Sequence, residues 1–190
     1  MTGLRTSYNG ATLRNNGGDD LKVFGDGTFV FKTALAAGAA YAAAVSSQPT
    51  APIGGAAADQ KIVFTSDQGL ASKAGDWLGI GFGGAVDPRS TMQNVRVEFA
   101  GGASFSGSNS CPYPGIAIND AAIRIFRPPS SQFITNTEIL SSARFGIDRG
   151  WRADLQPDFL ASNIFTAVTS CKETTPRTFN GVCPAVVPCL

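Results

Sequence analysis

Histidine is absent from the 190 residues. That removes the Ser–His and Cys–His nucleophile pairs and the imidazole metal sites on which many hydrolases depend. Charge is scarce too, with 15 Lys and Arg against 14 Asp and Glu and a net charge of +1. Such a surface has no basic field to concentrate nucleic acid or anionic lipid. Long apolar runs are missing as well: ALAAGAAYAAAV (Ala34–Val45), the one helix-like stretch, is too short and too broken by glycine to span a bilayer. The opening MTGLRTSYNG carries neither a basic leader nor an apolar signal core, so export is expected to rest on sequence preceding this chain, and the chain itself to be a fragment of a longer precursor.

What is plentiful is turn chemistry. Gly (22) and Pro (11), with Ser, Thr and Asn between short apolar runs, favour an all-β chain over a helical one. Between Asp76 and Gly150 the runs are DWLGIGF (Asp76–Phe82), NVRVEF (Asn94–Phe99), AAIRIF (Ala121–Phe126), QFITNTEI (Gln132–Ile139) and ARFGID (Ala143–Asp148). Each alternates with period two, and no helical stretch separates them. With an insertion of about 20 residues (Gly101–Ile118) set aside, the first, third and fifth runs recur about every 22–24 residues, a solenoid interval. A parallel β-solenoid is therefore expected, with inward Val, Ile and Phe stacked from rung to rung.

The stretch IVFTS through GDW, GI, F, NV, VE and AGG (Ile62–Gly102) resembles secreted bacterial right-handed parallel β-helix proteins, and the likeness continues through Ile123–Gly150. Upstream, GTFVF followed by Leu35, Gly38, Tyr41 and Val45, with NNGGDDL before it and Gln48–Pro49 after it, resembles a bacterial extracellular immunoglobulin-like or carboxypeptidase-regulatory-like repeat over residues 3–52, truncated at both ends. In LKVFGDGTFVF, Gly25–Gly27 is a hairpin signal, because Asp-Gly accepts positive φ. Ala34–Val45 has a short helix as its alternative. An Ala-, Gly- and Pro-rich linker (Ser46–Ala58) then marks a boundary. The expected plan is a truncated immunoglobulin-like, antiparallel β unit at 1–53, a right-handed parallel β-helix at 54–150 and an irregular Cys-containing cap at 151–190. A solenoid's last coil needs such a cover, and a docking segment for another chain is the alternative for this tail.

All four cysteines (Cys111, Cys171, Cys183, Cys189) fall in the second half without C-x-x-C spacing. They read as disulfides, hence a secreted or cell-surface chain, rather than a metal site. Of the three pairings open, Cys171–Cys183 with Cys111–Cys189 is favoured.

Carboxylates remain for chemistry. Glycoside hydrolysis needs two carboxyls about 5–10 Å apart in one cleft, and polyuronate lyases use a basic residue instead. With Val95, Val97, Phe99, Ile123, Ile125, Phe145 and Ile147 inward, Arg96, Glu98, Arg124 and Asp148 form an outer stripe. As a catalytic set, Glu98, Asp120 and Asp148 would work with Arg124 or Arg149. As a plain face, the same charges are cross-rung ion pairs. Tyr113, on the insertion, and Trp77 and Trp151 are candidates to stack on sugar rings, the two tryptophans having core packing as their alternative. GIGFGG (Gly79–Gly84) fits a dinucleotide fingerprint only formally, since no helix follows. NNGGDD (Asn15–Asp20) offers oxygen ligands but lacks EF-hand spacing, which favours a solvated turn. Asn94 and Asn136 resemble the stacked turn asparagines of β-helices. No metal or cofactor is expected. The function expected is a non-catalytic extracellular β-helix protein that is adhesive, structural or polysaccharide-binding. The competing reading is a polysaccharide lyase or glycoside hydrolase on the same scaffold.

Overall fold

The structure is a computed structural model. It describes residues 61–190 apart from 67, 83–85, 87, 89–90, 104–106 and 114–119, and before residue 61 only the backbone of five strands. Those five are β1 (Leu4–Thr6), β2 (Val23–Phe24), β3 (Gly27–Phe31), β4 (Ala43–Val45) and β5 (Pro52–Gly54). They are followed by β6 (Ile62–Ser66), β7 (Ile80–Phe82), β8 (Thr91–Gln93), β9 (Val95–Glu98) and β10 (Ala121–Ile125). β11 (Ile134–Thr135), β12 (Glu138–Leu140), β13 (Phe145–Arg149) and β14 (Ile164–Thr166) complete the set. Apart from a single 3-10 turn at Gly69–Ala71, the described residues hold no helix, and none long and apolar enough to cross a membrane.

The strands form three sheets: β1-β3-β6-β9-β12-β14, β4-β7-β10-β13 and β2-β5-β8-β11. From β2 to β13 the chain visits the third, first and second sheets in strict rotation, and every pairing except β1 with β3 is parallel. Register aligns like with like. Phe64, Val97 and Ile139 stand in one column and continue to Phe165 of β14, while Ile80, Ile123 and Ile147 form a second. Side chains from all three sheets share one buried cluster, so the core lies between the sheets. Phe82, Phe133 and Phe159 line it edge to face, with centroids 4.9 and 5.8 Å apart.

Two corners repeat. Between the third and first sheets, Asn94 and Asn136 take φ of 54° and 47°, and Asn136 Nδ2 donates to Asn94 Oδ1. That is the asparagine stack the sequence suggests, and Asn suits it because its short polar side chain tolerates a left-handed backbone. Where the first sheet turns toward the second, Phe99, Ser141 and Ala167 take φ of 61°, 53° and 53°. Phe99 is thus a half-buried corner residue rather than an inward strand residue. QFITNTEI likewise divides at Asn136 into β11 and β12.

The N-terminal strands depart from the expected unit. β1 is antiparallel to β3, but β2 and β3 belong to different sheets and form no hairpin across Gly25–Gly27, and β2, β3 and β4 pair in parallel with β5, β6 and β7. The expected boundary at residues 53 and 54 falls on β5, which is bonded on both sides, and the remainder of the linker, 46–51 and 55–58, lies outside the described residues. Of the helix alternative at 34–45, the last three residues are β4 and the rest lie outside the described residues, as does Asn15–Asp20. Gly79–Phe82 runs into β7 and Gly83 and Gly84 lie outside the description.

Candidate functional site

Both disulfides involve the tail, but with the partners exchanged relative to expectation: Cys111–Cys183 joins it to the insertion and Cys171–Cys189 closes a loop within it, with Cα separations of 5.7 and 5.1 Å. Cys111 sits on the insertion, far from the tail in sequence, and the backbone explains the choice. Its amide donates to Thr175 O at 2.7 Å, which lays the insertion beside the tail, and the Lys172 amide donates to Leu190 O at 2.7 Å, which brings Cys189 to Cys171 and leaves Cys183 for Cys111.

Beneath that junction lies a buried polar cluster on the face of the second sheet away from the core. In register, Arg124 of β10 stands beside Asp148 of β13, and the two approach to 3.7 Å through Nε and Oδ2. Asp120 Oδ1 is 3.7 Å from Arg124 Nη1. Asp148 Oδ1 accepts from Ser110 at 2.7 Å and Ser108 at 3.0 Å, both on the insertion, and from Thr174 of the tail at 3.0 Å. The Arg124 guanidinium lies 5.0 Å from the Phe126 ring centre, a cation–π distance. Alternation puts Arg124 and Asp148 on the outer face, as expected, yet both are buried, Asp148 completely. Burial pushes its carboxyl above the usual carboxylate range, against the hydrogen bonds of Ser110 and Ser108, the Arg124 charge and the Thr174 hydroxyl.

Arg96 and Glu98 belong to a different sheet, so the four charges do not form one stripe. On the outer face of the first sheet Arg96 stands in register with Glu138. Its Nε donates to Glu138 Oε2 at 2.7 Å while Lys61 donates to Oε1. Those bonds, Lys61 first, hold the Glu138 carboxyl below its ordinary range. Glu98 accepts from Thr65 at 2.7 Å.

Arg149 points the other way. Ile125 is its register partner, so it occupies an inward column where the core ends. Glu173 extends the sheet beside Ile147, and the two charges meet at 3.3 Å. Arg149 donates to the carbonyls of Thr174, Leu155 and Pro157 at 2.9, 2.6 and 3.3 Å, and Glu173 accepts from the Phe159 amide at 3.1 Å. Desolvation raises Glu173 to about 7, with Arg149 opposing. Desolvation likewise lowers Arg149, opposed by Glu173 and Asp158. Sequence reasoning missed Glu173. The parity of Ile147 and Arg149 could have shown an inward arginine, but nothing in CKETTP marks its partner.

The aromatic candidates divide. Trp77 is buried and donates to Glu98 O at 2.9 Å, and Trp151 is buried and donates to Asp154 O at 3.2 Å. Tyr113 stays half-buried on the insertion, edge-on to Phe145 at 6.2 Å. The described residues contain no cluster of three or more groups able to hold a metal ion. No family model, curated protein or solved structure matches this chain.

Proposed function

We propose that the chain is a right-handed parallel β-helix of the secreted bacterial type, working outside the cell as a non-catalytic adhesive, structural or polysaccharide-binding module. The rotation of the chain through three parallel sheets supports the fold, since a crossover between parallel strands of one sheet is right-handed in about 98% of cases. Two disulfides support an oxidising compartment.

One observation carries the non-catalytic reading: the carboxylates expected to act as acid and base are spent on structure. Asp120 and Asp148 face the same arginine under a roof of insertion and tail. Glu98, on another sheet, is held by Thr65. A general acid or base must come within about 3 Å of the proton it transfers, and Asp148 has no surface on which to do so. For binding, Tyr113 is the one of the three aromatic candidates that is not buried.

The test is to incubate the oxidised protein with plant, algal and bacterial polysaccharides, following retention on insoluble polymers and release of reducing or unsaturated ends. Retention without product, lowered by Tyr113→Ala, is expected. Product release that vanishes in Glu98→Gln or Asp148→Asn would overturn the reading, and absence of retention on every polymer would remove its polysaccharide-binding form.

A further inference from the structure

The three sheets end differently at the C-terminal side. The second is continued by the tail, with Gly146 donating to Cys171 O at 3.1 Å and Thr174 to Ile147 O at 3.0 Å. The third is covered by Ser162 and Asn163, which bond the backbone of Asn136 and Ile134. The first stops at β14, with no strand beyond it among the described residues. In a parallel ladder alternate residues turn both backbone groups to the same neighbour. Ile164 donates to Thr137 O at 2.9 Å and Thr166 accepts from Ser141 at 2.9 Å. The Phe165 N–H and C=O therefore face outward.

Natural edges of this kind are guarded by charge, proline or bulges. This one has none: LASNIFTAVTSC (residues 160–171) contains neither a charged residue nor a proline. Ile164 on its outer face is 53% exposed, and all the exposed large apolar side chains among the described residues except Leu70 lie at or beyond Leu155. Alongside runs a groove of about 370 Å³ lined by Phe165, Val168 and Leu190. A second of about 380 Å³, bordered by Leu155 and Val186, meets it at Leu190.

We propose that this edge is a self-association surface, on which a second copy of this chain pairs β14 antiparallel to β14 about a two-fold axis through Phe165. One residue presenting both backbone groups outward is what an antiparallel hydrogen-bonded pair uses, each partner giving and taking one bond. A two-fold contact requires a patch complementary to itself, and a neutral segment meets its own copy without like-charge repulsion. Ala167, with φ of 53°, turns the chain out of the strand and keeps the contact short, so the grooves beside it, mainly apolar but bordered by Lys172, Arg149 and Asp158, supply the remaining area.

Antiparallel pairing centred on Phe165 sets Ile164 opposite the partner's Thr166, and this fixes the test. Sedimentation velocity of the full oxidised chain across a wide concentration range should show a monomer–dimer equilibrium. Ile164→Lys/Thr166→Lys places lysine opposite lysine twice and should raise the dissociation constant about tenfold, whereas Ile164→Lys/Thr166→Glu places opposite charges face to face and should restore or tighten it. Far-UV circular dichroism establishes that each variant keeps the wild-type fold. A chain that stays monomeric throughout overturns the proposal, as does a dimer that responds equally to both variants.

Discussion

At the scale of single residues, the unusual investment is an arginine and a glutamate where the inward columns end. A buried ion pair is weak evidence of stability, because desolvating two charges cancels much of their attraction, and here the cancellation is visible in the Glu173 proton. Unfolded, this glutamate releases its proton near its ordinary value of 4.5, but folded it holds it to about 7. Between those values the unfolded chain binds fewer protons, so stability falls as pH rises from about 4.5 to about 7 and is level above. The loss is on the order of 3 kcal/mol. Glu173→Gln keeps an acceptor for the Phe159 amide and cannot ionise, so its calorimetric stability between pH 4.5 and 8 should lack that decline. Asp148, whose proton is also held by burial, contributes the same slope to both proteins and drops out of the difference. Identical pH slopes in the two would refute the assignment. Asp148→Ala, which removes the acceptor shared by three hydroxyls and one of the two carboxylates beside Arg124, should cost about 1–3 kcal/mol in denaturant unfolding while leaving polysaccharide retention unchanged in material that remains folded. The alternation of β10 and β13 told which way Arg124 and Asp148 point, and it did so correctly. It could not tell that their face is roofed, because the roof is a contact between the insertion and a tail more than sixty residues away.

At the scale of elements, the corners specify the register more firmly than the strands do. Strands of two to five residues contribute few ladder bonds, whereas each corner fixes a backbone conformation that few residues adopt. Asn136→Ala removes both the tolerance for φ of 47° and the bond to Asn94. A fall of about 1–2 kcal/mol is expected, measured by urea unfolding, and Asn136→Gly should recover part of it by restoring the backbone freedom alone. Gly79 is the stricter case, since with φ of 120° a Cβ there would sit 2.3 Å from Ala122 O. Gly79→Ala should therefore be among the most destabilising substitutions to alanine in the chain, beyond the roughly 1–3 kcal/mol of backbone strain alone. Period-two alternation made the later strands legible, because Ile80, Ile123 and Ile147 repeat in kind as well as in place. The N-terminal strands were misassigned for the converse reason. Asp-Gly between two apolar runs has the local chemistry of a hairpin, but β2 and β3 pair into different sheets, and only long-range pairing decides between the two.

At the scale of the whole molecule, one covalent link fastens the tail to the insertion and a second closes a loop within the tail beyond β14. Cross-linking stabilises chiefly by limiting the unfolded chain, more so for wider loops. Cys111–Cys183 spans a sequence separation of 72 and Cys171–Cys189 one of 18, for which chain entropy gives about 4 and about 3 kcal/mol. Their consequences differ more than those magnitudes. The wider link ties the insertion carrying Ser108 and Ser110 to the tail that follows Thr174, and so holds the roof over Asp148 and Arg124. The narrower one draws the tail's end back to Cys171, beside the groove at β14. Cys111→Ser/Cys183→Ser should accordingly lower stability and speed hydrogen exchange of the backbone amide at position 111, which donates to Thr175 O. Cys171→Ser/Cys189→Ser should instead speed exchange at Lys172 and Glu173, whose amides bond Leu190 O at 2.7 and 3.2 Å, and leave the insertion protected. Equal loosening of both regions by either pair would mean that tail and insertion open as one unit, and the division of labour between the two links would be wrong.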